Sequence, residues 1–467
     1  MNDRIPWPVW RVALVVVFGG FVSMLDTSLV NVGLDSIAGD LGASLASAQW
    51  IASGYLIALA VSLPLCGWLG RKVGVGRLWL WSFAAFTVAS GLCAFAGDLG
   101  WLIALRVLQG VSAGLLVPAG QTVLGQAVGP QRLGRVMSIL GIAVSTGPAI
   151  GPTLGGLLLN SLSWPWLFLI NLPIGVAGIG LGLKYVPRGE RGAAPRLDWG
   201  GLILVSVGLP MFVYAVSRWS ERATLADASV LVPLVLGFAG LLAFAARSWR
   251  RANALVDLRL FRDPVFAAAT VVTAFAGATL FGAMLLFPLY FQVLRGADVI
   301  TTGLSLCSLG LGTAIVAPLG GRLTDRYGGG IVALWGNVLT LVTTAPFAFL
   351  GAHTDAVTVQ ALLFLRGMAI ALATMPAGAA AYAAVRRDQL PDATTTVNIM
   401  QRIGGALGGA LFAVVLAAAL PHGAESAFQQ AFWWVSAASV GSVLCAAWLW
   451  LAQRSARAAH RTPVAVP

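Results

Sequence analysis

The chain has 467 residues, of which 58% are hydrophobic and only 10% are charged, and its mean hydropathy is +0.86. Soluble globular domains carry about 25% charged residues, so the composition excludes a soluble protein and indicates a chain that crosses a membrane many times. The net charge of +12 would suit a nucleic-acid partner, but the distribution of that charge along the chain argues against one.

Fourteen apolar segments are long enough to cross a bilayer, which takes about 20 residues in a helix. They are predicted at residues 10–33, 47–69, 77–96, 99–126, 136–159, 165–186, 199–217, 229–247, 265–292, 301–321, 330–350, 357–384, 395–420 and 428–452. An even number of spans places both ends of the chain on the same side of the membrane.

Lysine and arginine lie almost entirely on that side. Of the 29 basic residues, 23 fall in loops on the side of the N-terminus, three in the opposite loops, and three within spans, at Arg106, Arg366 and Arg402. Because cytoplasmic loops are enriched in Lys and Arg, we expect a multi-pass protein of the inner (cytoplasmic) membrane with both termini in the cytoplasm. This asymmetry accounts for the net charge without nucleic acid.

Asp26 is the only one of the 17 acidic residues that falls within a predicted span. A carboxylate is costly in hydrocarbon, so it is expected to face the protein interior or a water-filled cavity. Burial favours its neutral form and a nearby cation favours its charged form, so an Asp held between the two can take up and release a proton. The alternative is that Asp26 caps the first helix at the outer interface.

Arg106 lies in the fourth span and stays charged at any physiological pH. Its expected role is electrostatic: it keeps Asp26 charged or polarises a water that carries the proton. The alternative is that it snorkels to the interface or pairs with a helix carbonyl. Arg366 and Arg402 have no acid within their half's spans, and we expect them to bond to helix carbonyls or to Asn398 and Gln401. A structural and a functional role are equally open for both.

The fifth span is rich in glycine and proline. Ala143, Gly147, Gly151 and Gly155 recur every four residues, so a helix places them on one ridge that lets another helix approach closely. Pro148 and Pro152 form a second ridge, where the helix is predicted to bend.

An internal repeat divides the chain. Residues 67–74, G-W-L-G-R-K-V-G, are similar to residues 321–328, G-R-L-T-D-R-Y-G, 254 residues later, and Arg106 and Arg366 are 260 residues apart. The matching spans differ by eight, which predicts two six-helix bundles separated by two additional helices. The expected divisions are residues 1–190, residues 191–260 with the additional pair, and residues 261–467.

Three motifs resemble those of the fourteen-span drug:proton antiporters of the major facilitator superfamily. They are G-x-x-x-G-P-x-x-G-G at 147–156, L-D-T-S-L-V-N-V at 25–32, and R-V-L-Q-G-V-S-A-G at 106–114. The resemblance implies an all-α integral membrane protein with the major facilitator fold, two six-helix bundles plus two extra central helices. It also implies a proton-coupling role for Asp26 and Arg106. The antiporter motif comprises Gly147, Pro148, Gly151, Pro152, Gly155 and Gly156.

The loop at residues 67–77 departs from the family. The pattern usually carries an Asp where Arg71 stands, followed by basic residues and Gly74, and that Asp helps to latch neighbouring helices in the outward-facing state. The second-half copy keeps an acid, Asp325, beside Arg326. Three interpretations remain open: Arg71 finds another partner, the second half carries the latch, or the turn only sets topology.

A substrate cavity is expected at mid-membrane between the two halves. Candidate lining residues are Trp50, Tyr55, Phe281, Phe287, Tyr290, Asn398 and Gln401. The expected function is proton-coupled efflux of lipophilic drugs or antibiotics, cationic ones included, by alternating access. The alternatives are an exporter or symporter of a small polar metabolite and a non-transporting membrane receptor or scaffold.

The sequence contains no H-E-x-x-H or G-K-[ST] motif, and its three histidines fall in predicted loops or the tail, so neither an enzyme nor an ATP-driven pump is predicted. We expect no cofactor and no metal site. The predicted partners are a small-molecule substrate, protons and the lipid bilayer, and the chain is expected to be a monomer.

Overall fold

The computed structural model describes residues 5–129, 132–192, 196–222, 227–251 and 254–459; the side chains at 45–46, 143–145, 148–149, 216–217, 220–222, 299–300 and 459 lie outside the description. Within these ranges the regular structure is helical. The α-helices are α1 (Trp7–Asp40), α2 (Leu45–Ser62), α3 (Leu65–Val73), α4 (Val75–Cys93), α5 (Leu99–Val128), α6 (Leu133–Ser161), α7 (Trp166–Leu169), α8 (Asn171–Tyr185), α9 (Trp199–Arg222), α10 (Ala228–Arg250), α11 (Pro264–Leu289), α12 (Val299–Tyr327), α13 (Gly329–Thr344), α14 (Ala356–Ala383), α15 (Leu390–Ala419) and α16 (Ala424–Ala459).

Each predicted apolar segment coincides with a helix or with two consecutive short ones. The second segment is split next to Pro64 into α2 and α3, and the chain bends by 59° between them. The sixth segment is split into α7 and α8. Among the described residues, ten helices are long and apolar enough to cross a membrane, or eleven if the bent pair is one span. α6 continues through both prolines of the glycine-rich segment.

The two copies of the repeated loop make the same turn. Gly74 joins α3 to α4 with φ 91°, and Gly328 joins α12 to α13 with φ 96°. Only glycine adopts this region without strain. Space is also limited, since a Cβ on Gly74 would lie 2.6 Å from the carbonyl oxygen of Arg188. Each turn therefore requires glycine, which explains the last residue of the repeated motif.

The two sets of helices share a hydrophobic cluster at one end of the molecule, and α6 packs along α12 from that end to the other. We call α1–α8 the N-half, α11–α16 the C-half, and the end where α1 begins and α16 ends the basic end. At the basic end one hydrophobic cluster joins both halves and includes Leu124 with Leu390 and Val397. Towards the opposite end each half has a cluster of its own, around Phe168 in the N-half and Phe432 in the C-half. Among the described residues, the largest hydrophobic cluster that both halves share therefore lies at the basic end.

Helices α9 and α10 form a hairpin that packs against α2 and α15, and so touches both halves. The helices approach closely, since a Cβ on Gly237 would lie 2.5 Å from the backbone nitrogen of Phe212. At the basic end Asp198 accepts hydrogen bonds from Arg247 at 2.7 and 2.9 Å. Partial burial acts to raise the pKa of Asp198, but the bonds from Arg247 and from the Gly201 N–H outweigh it and hold that pKa below its ordinary value. The pair is therefore charged at neutral pH.

Candidate functional site

Asp26 lies in the interior of α1, far from either end, and its side chain is 0% exposed. The Nη1 atom of Arg106 on α5 lies 2.6 Å from the Asp26 Oδ2 atom. The pair is therefore a direct salt bridge between two helices, a contact that the sequence could not establish. Removing two charges from water is expensive, so such a pair persists only where hydrogen bonds satisfy its remaining atoms.

Neutral donors complete the shell around the carboxylate. The side-chain amides of Gln109 and Asn171 donate to Asp26 Oδ1 at 2.9 and 2.8 Å. The Asn171 amide also donates to Ser90 Oγ at 3.0 Å. Asp26 thus accepts bonds from α5 and α8, and its position depends on how three helices pack.

The guanidinium of Arg106 is held equally firmly. Its Nη1 atom donates to Gln109 Oε1 at 2.7 Å, and its Nε atom donates to the carbonyl of Ile51 at 3.3 Å. The Tyr55 ring stacks against it, with 4.2 Å between Cζ and the ring centroid. Tyr55 bonds in turn to Ser23 on α1 at 3.1 Å. This cage can hold a charged carboxylate without water, and protonation of Asp26 would remove the charge that Arg106 faces.

Asn171 and Ser90 were not identified from the sequence as site residues, and Gln109 entered only as part of a motif. Gln109 follows Arg106 by three residues on the same helix, and this spacing places both on one face. Asn171 was detectable as an amide inside an apolar segment.

The glycine ridge of α6 packs on α1, the helix that carries Asp26. An ideal Cβ on Gly147 would lie 2.8 Å from the Met24 Cβ and 2.9 Å from the Leu25 nitrogen. Gly151 faces Ser28, and Gly155 faces Leu29 and Val32. On the other side Pro152 lies against Gly303 of α12. The side chains of Ala143 and Pro148 are outside the described residues. α6 is therefore the helix that lies between Asp26 and the C-half.

Replacing Gly147 with Ala is expected to destabilise the protein by about 1–3 kcal/mol, the usual cost of overpacking. The added methyl group meets the α1 backbone beside Asp26, which cannot move aside as a flexible side chain can. Gly156→Ala is the matched control, since a Cβ there meets no atom within 4 Å. The measurement is SDS-titrated unfolding of the purified proteins, and equal stability of the two variants would contradict the packing argument.

Arg71 has a partner in the opposite half. Its Nη1 atom lies 2.5 Å from Asp392 Oδ2 in the first turn of α15, and the two side chains are 25% and 13% exposed. Nearby, the hydroxyl oxygens of Thr122 and Thr394 are hydrogen-bonded at 2.8 Å. These contacts join α3 and α5 of the N-half to α15 of the C-half at the basic end.

The second copy of the loop makes the equivalent contact with opposite polarity. Asp325 lies 3.0 Å from the Nε atom of Arg135, and it accepts a bond at 2.9 Å from the Gly134 N–H in the first turn of α6. A negative charge is favourable at a helix N-terminus. Asp325 supplies that negative charge to the N-terminus of α6. The N-terminus of α15 already contains a negative charge, Asp392, and the loop that faces it therefore carries a basic residue, Arg71. Arg326 is exposed, with its guanidinium 5.3 Å from the Tyr327 ring centroid.

The structure separates the predicted cavity residues into three groups. Phe287 and Tyr290 are buried among Phe347 and Phe432 in the C-half core, and Tyr55 belongs to the Asp26 cage. Their spacing along the helices did not reveal which face each occupies.

The four remaining predicted residues are at least partly exposed. Asn398 donates to Gln121 of α5 at 2.6 Å and so belongs to the contacts at the basic end. Phe281 lies against Gly405 of α15. Trp50 is half-exposed and Gln401 partly exposed.

Arg366 is the C-half counterpart of Arg106, but no acid among the described residues faces it. The side chain is fully buried and donates to Thr344 Oγ1 and, at 3.5 Å, to the Thr279 carbonyl. Its Cζ atom lies 5.4 Å from the Phe287 ring centroid. The two halves therefore differ chemically, since only the N-half places a carboxylate against its buried arginine. No group of three or more potential metal ligands occurs among the described residues.

Two helical bundles that pack on one another, with an ion pair sealed inside one of them, are the architecture of a membrane transporter. The family model described as Major Facilitator Superfamily matches residues 16–312 and 269–465. The chain belongs to this family of small-molecule transporters, and it is therefore not an enzyme.

The chain is 35% identical over 424 residues to the Multidrug resistance protein B homolog of Mycobacterium tuberculosis, covering 90% of this chain and 78% of the relative. It is 28% identical over 396 residues to the Multidrug export protein EmrB of Escherichia coli, covering 83% and 76% of the two chains. The solved proton:xylose symporter XylE superposes with a TM-score of 0.64 at 13% identity, covering 93% of this chain and 94% of that one, which supports the fold alone. The family resemblance seen in the motifs is confirmed.

Proposed function

We propose that the protein exports lipophilic small molecules from the cytoplasm in exchange for protons, by alternating access. The observation that carries this proposal is the Asp26 carboxylate, which is sealed from water and bonded to Arg106, Gln109 and Asn171. A buried carboxylate with a fixed cation is a site whose protonation changes the local charge balance. The names of the relatives in M. tuberculosis and E. coli, which refer to multidrug resistance and export, support the choice of cargo.

The proposed topology has fourteen spans. The ten long apolar helices and the bent pair α2–α3 account for eleven, and α4, α6 and α9 supply the other three. With the observed charge distribution, the basic end faces the cytoplasm and both termini lie there. Residues 1–190 and 261–467 act as the two moving bundles, residues 191–260 add the α9–α10 hairpin, and the protein works as a monomer in the cytoplasmic membrane.

In this proposal the described conformation is outward-facing, since the contacts between halves at the basic end close the cytoplasmic side. A proton arriving from outside neutralises Asp26 and releases Arg106 from its ion pair. α1 and α5 then repack, and α6, which lies between α1 and α12, transmits the change to the C-half. Substrate binding weakens, and the carrier returns inward once the Arg71–Asp392 and Arg135–Asp325 pairs separate.

The test uses purified protein in liposomes with an acidic lumen and a panel of anionic, neutral and cationic lipophilic dyes. We expect at least one dye to accumulate in the lumen, and we expect nigericin, which collapses the pH gradient, to abolish the accumulation. Protein-free liposomes correct for passive distribution. Equal accumulation with and without the gradient would rule out proton coupling, and no accumulation of any dye would count against export.

A further inference from the structure

Of the three arginines inside spans, Arg402 is the one that is partly exposed. Arg106 is paired with Asp26, and Arg366 is buried and bonded to Thr344 and Thr279. Among the described residues, Arg402 has no hydrogen-bond or ion-pair partner, and its side chain is partly exposed. An arginine in a membrane stays charged and is tolerated where it faces protein partners or a water-filled cavity. The partial exposure of Arg402 therefore points to a water-filled space beside it.

The position of Arg402 on α15 identifies that space. Thr394 and Asn398, eight and four residues before it, contact Thr122 and Gln121 of α5. Residues four apart lie on one face of a helix, so Arg402 also faces the N-half. At 1.5 Å per residue it lies about 6 Å beyond the Asn398 contact, towards the opposite end. The contacts through Thr394 and Asn398 form the floor of the cleft between the halves, and Arg402 lies directly above it.

The cleft remains open above Arg402. Gly409, seven residues further on, lies on the same face, and a Cβ there would meet no atom within 4 Å. Ala406, between them, is also small. The adjacent face of α15 is covered, since Ile399 and Ile403 pack against the hydrophobic cluster that contains Val205 and Leu209 of α9. A ligand can therefore approach the guanidinium from the opposite end of the molecule.

The charge around Arg402 is unopposed. Among the described residues, the titratable group that interacts electrostatically with Arg402 is Tyr55, which is buried in the Asp26 cage. A tyrosine is neutral at physiological pH. Asp26 is 0% exposed and already bonded to Arg106, so it offers no charge to a ligand in the cleft. The next acid on α1, Asp35, lies nearer the opposite end. Near the floor of the cleft the field is therefore positive.

We propose that Arg402 is the recognition group for an anionic substituent on the cargo, a carboxylate, sulfonate or phosphate attached to a lipophilic body. A guanidinium binds such groups through two parallel hydrogen bonds, and the space beside Ala406 and Gly409 accommodates the lipophilic part. This inference rests on the proposed function only for what happens after binding. It replaces the expectation of cationic cargo with the opposite charge.

The test compares three naphthalene probes that differ only in charge: naphthalene-2-sulfonate, naphthalene-2-sulfonamide and (naphthalen-2-yl)trimethylammonium. Binding to the purified protein is measured by equilibrium dialysis with mass-spectrometric detection. We expect the sulfonate to bind about tenfold more tightly than either of the others, and we expect Arg402→Gln to remove that advantage, because a hydrogen bond between two charged groups is stronger than one between neutral groups. Arg402→Lys should retain part of it. Arg454→Gln, at an exposed site on α16, is the control for net charge and should bind as the unmodified protein does.

The inference is overturned if the sulfonate binds no better than the sulfonamide, or if Arg402→Gln leaves its affinity unchanged. Gradient-driven uptake of the same three probes into liposomes is measured in parallel. Tight sulfonate binding without gradient-driven uptake would uphold the role of Arg402 and count against proton-coupled export. Gradient-driven uptake of the cation alone would uphold export and overturn the role of Arg402.

Discussion

Asp26→Asn is expected to reduce pH-gradient-driven accumulation to the level of protein-free liposomes, because the variant keeps the shape of the side chain but cannot exchange a proton. Exchange of labelled for unlabelled cargo at equal pH should persist, since it needs no net proton movement. Asp35→Asn, on the same helix but exposed, is the matched control and should retain coupled transport. Loss of accumulation in both variants, or in neither, would refute the assignment of Asp26.

A double variant separates the effect of Asp26→Asn on protein stability from its effect on proton coupling. Asp26→Asn leaves the Arg106 charge buried without a counterion, a defect that costs about 3–5 kcal/mol. The double variant Asp26→Asn/Arg106→Gln removes that charge and should recover part of the lost stability in SDS titration. It should remain uncoupled, because the proton-binding group is still missing. Recovery of coupling in the double variant would show that Asp26 has a structural role only.

Arg71→Asp is expected to open the basic end, although it restores the residue that the family usually carries there. In this chain the partner is Asp392, so the substitution places two carboxylates where a salt bridge of 2.5 Å stood. Loss of a partly buried pair should shift the closed-to-open ratio at least about tenfold. Spin labels at Glu190 and Asp388, both exposed, report this in double electron–electron resonance as a longer distance, on a background without native cysteines.

Reversing both charges, with Arg71→Asp and Asp392→Arg together, should restore the short distance. The resulting arrangement is the one that Asp325 and Arg135 already form in the second copy of the loop. Lys72→Asp changes the neighbouring exposed charge, which lies over the Trp68 ring, and should leave the distance unchanged. A double variant as open as Arg71→Asp would show that the pair does not hold this end closed.

The helices could be predicted from the sequence because a bilayer demands long apolar segments. The breaks within the second and sixth segments could not be predicted, since the length of an apolar segment does not reveal a bend such as that between α2 and α3. The glycine ridge of α6 predicted a close approach by another helix, and the structure adds that this helix is α1.

The partners of the charged groups depended on tertiary packing. Asp26 and Arg106 were each recognisable as rare charges in apolar segments, but they are 80 residues apart in the chain. Asn171 carried a weaker signal, because an amide in a helix can bond to its own backbone and need not serve a site. Arg71 was recognisable from the sequence as a departure from the family's loop motif, yet its partner Asp392 lies 321 residues away in the chain.

The lone guanidinium of Arg402 has an energetic consequence for the whole cycle. If the cargo is a monovalent anion, its exit moves negative charge outwards while the returning proton moves positive charge inwards. Both movements transfer current in the same sense. A membrane potential that is negative inside contributes about 2.3 kcal/mol for each elementary charge per 100 mV, so voltage would drive this exchange even where the pH on the two sides is equal.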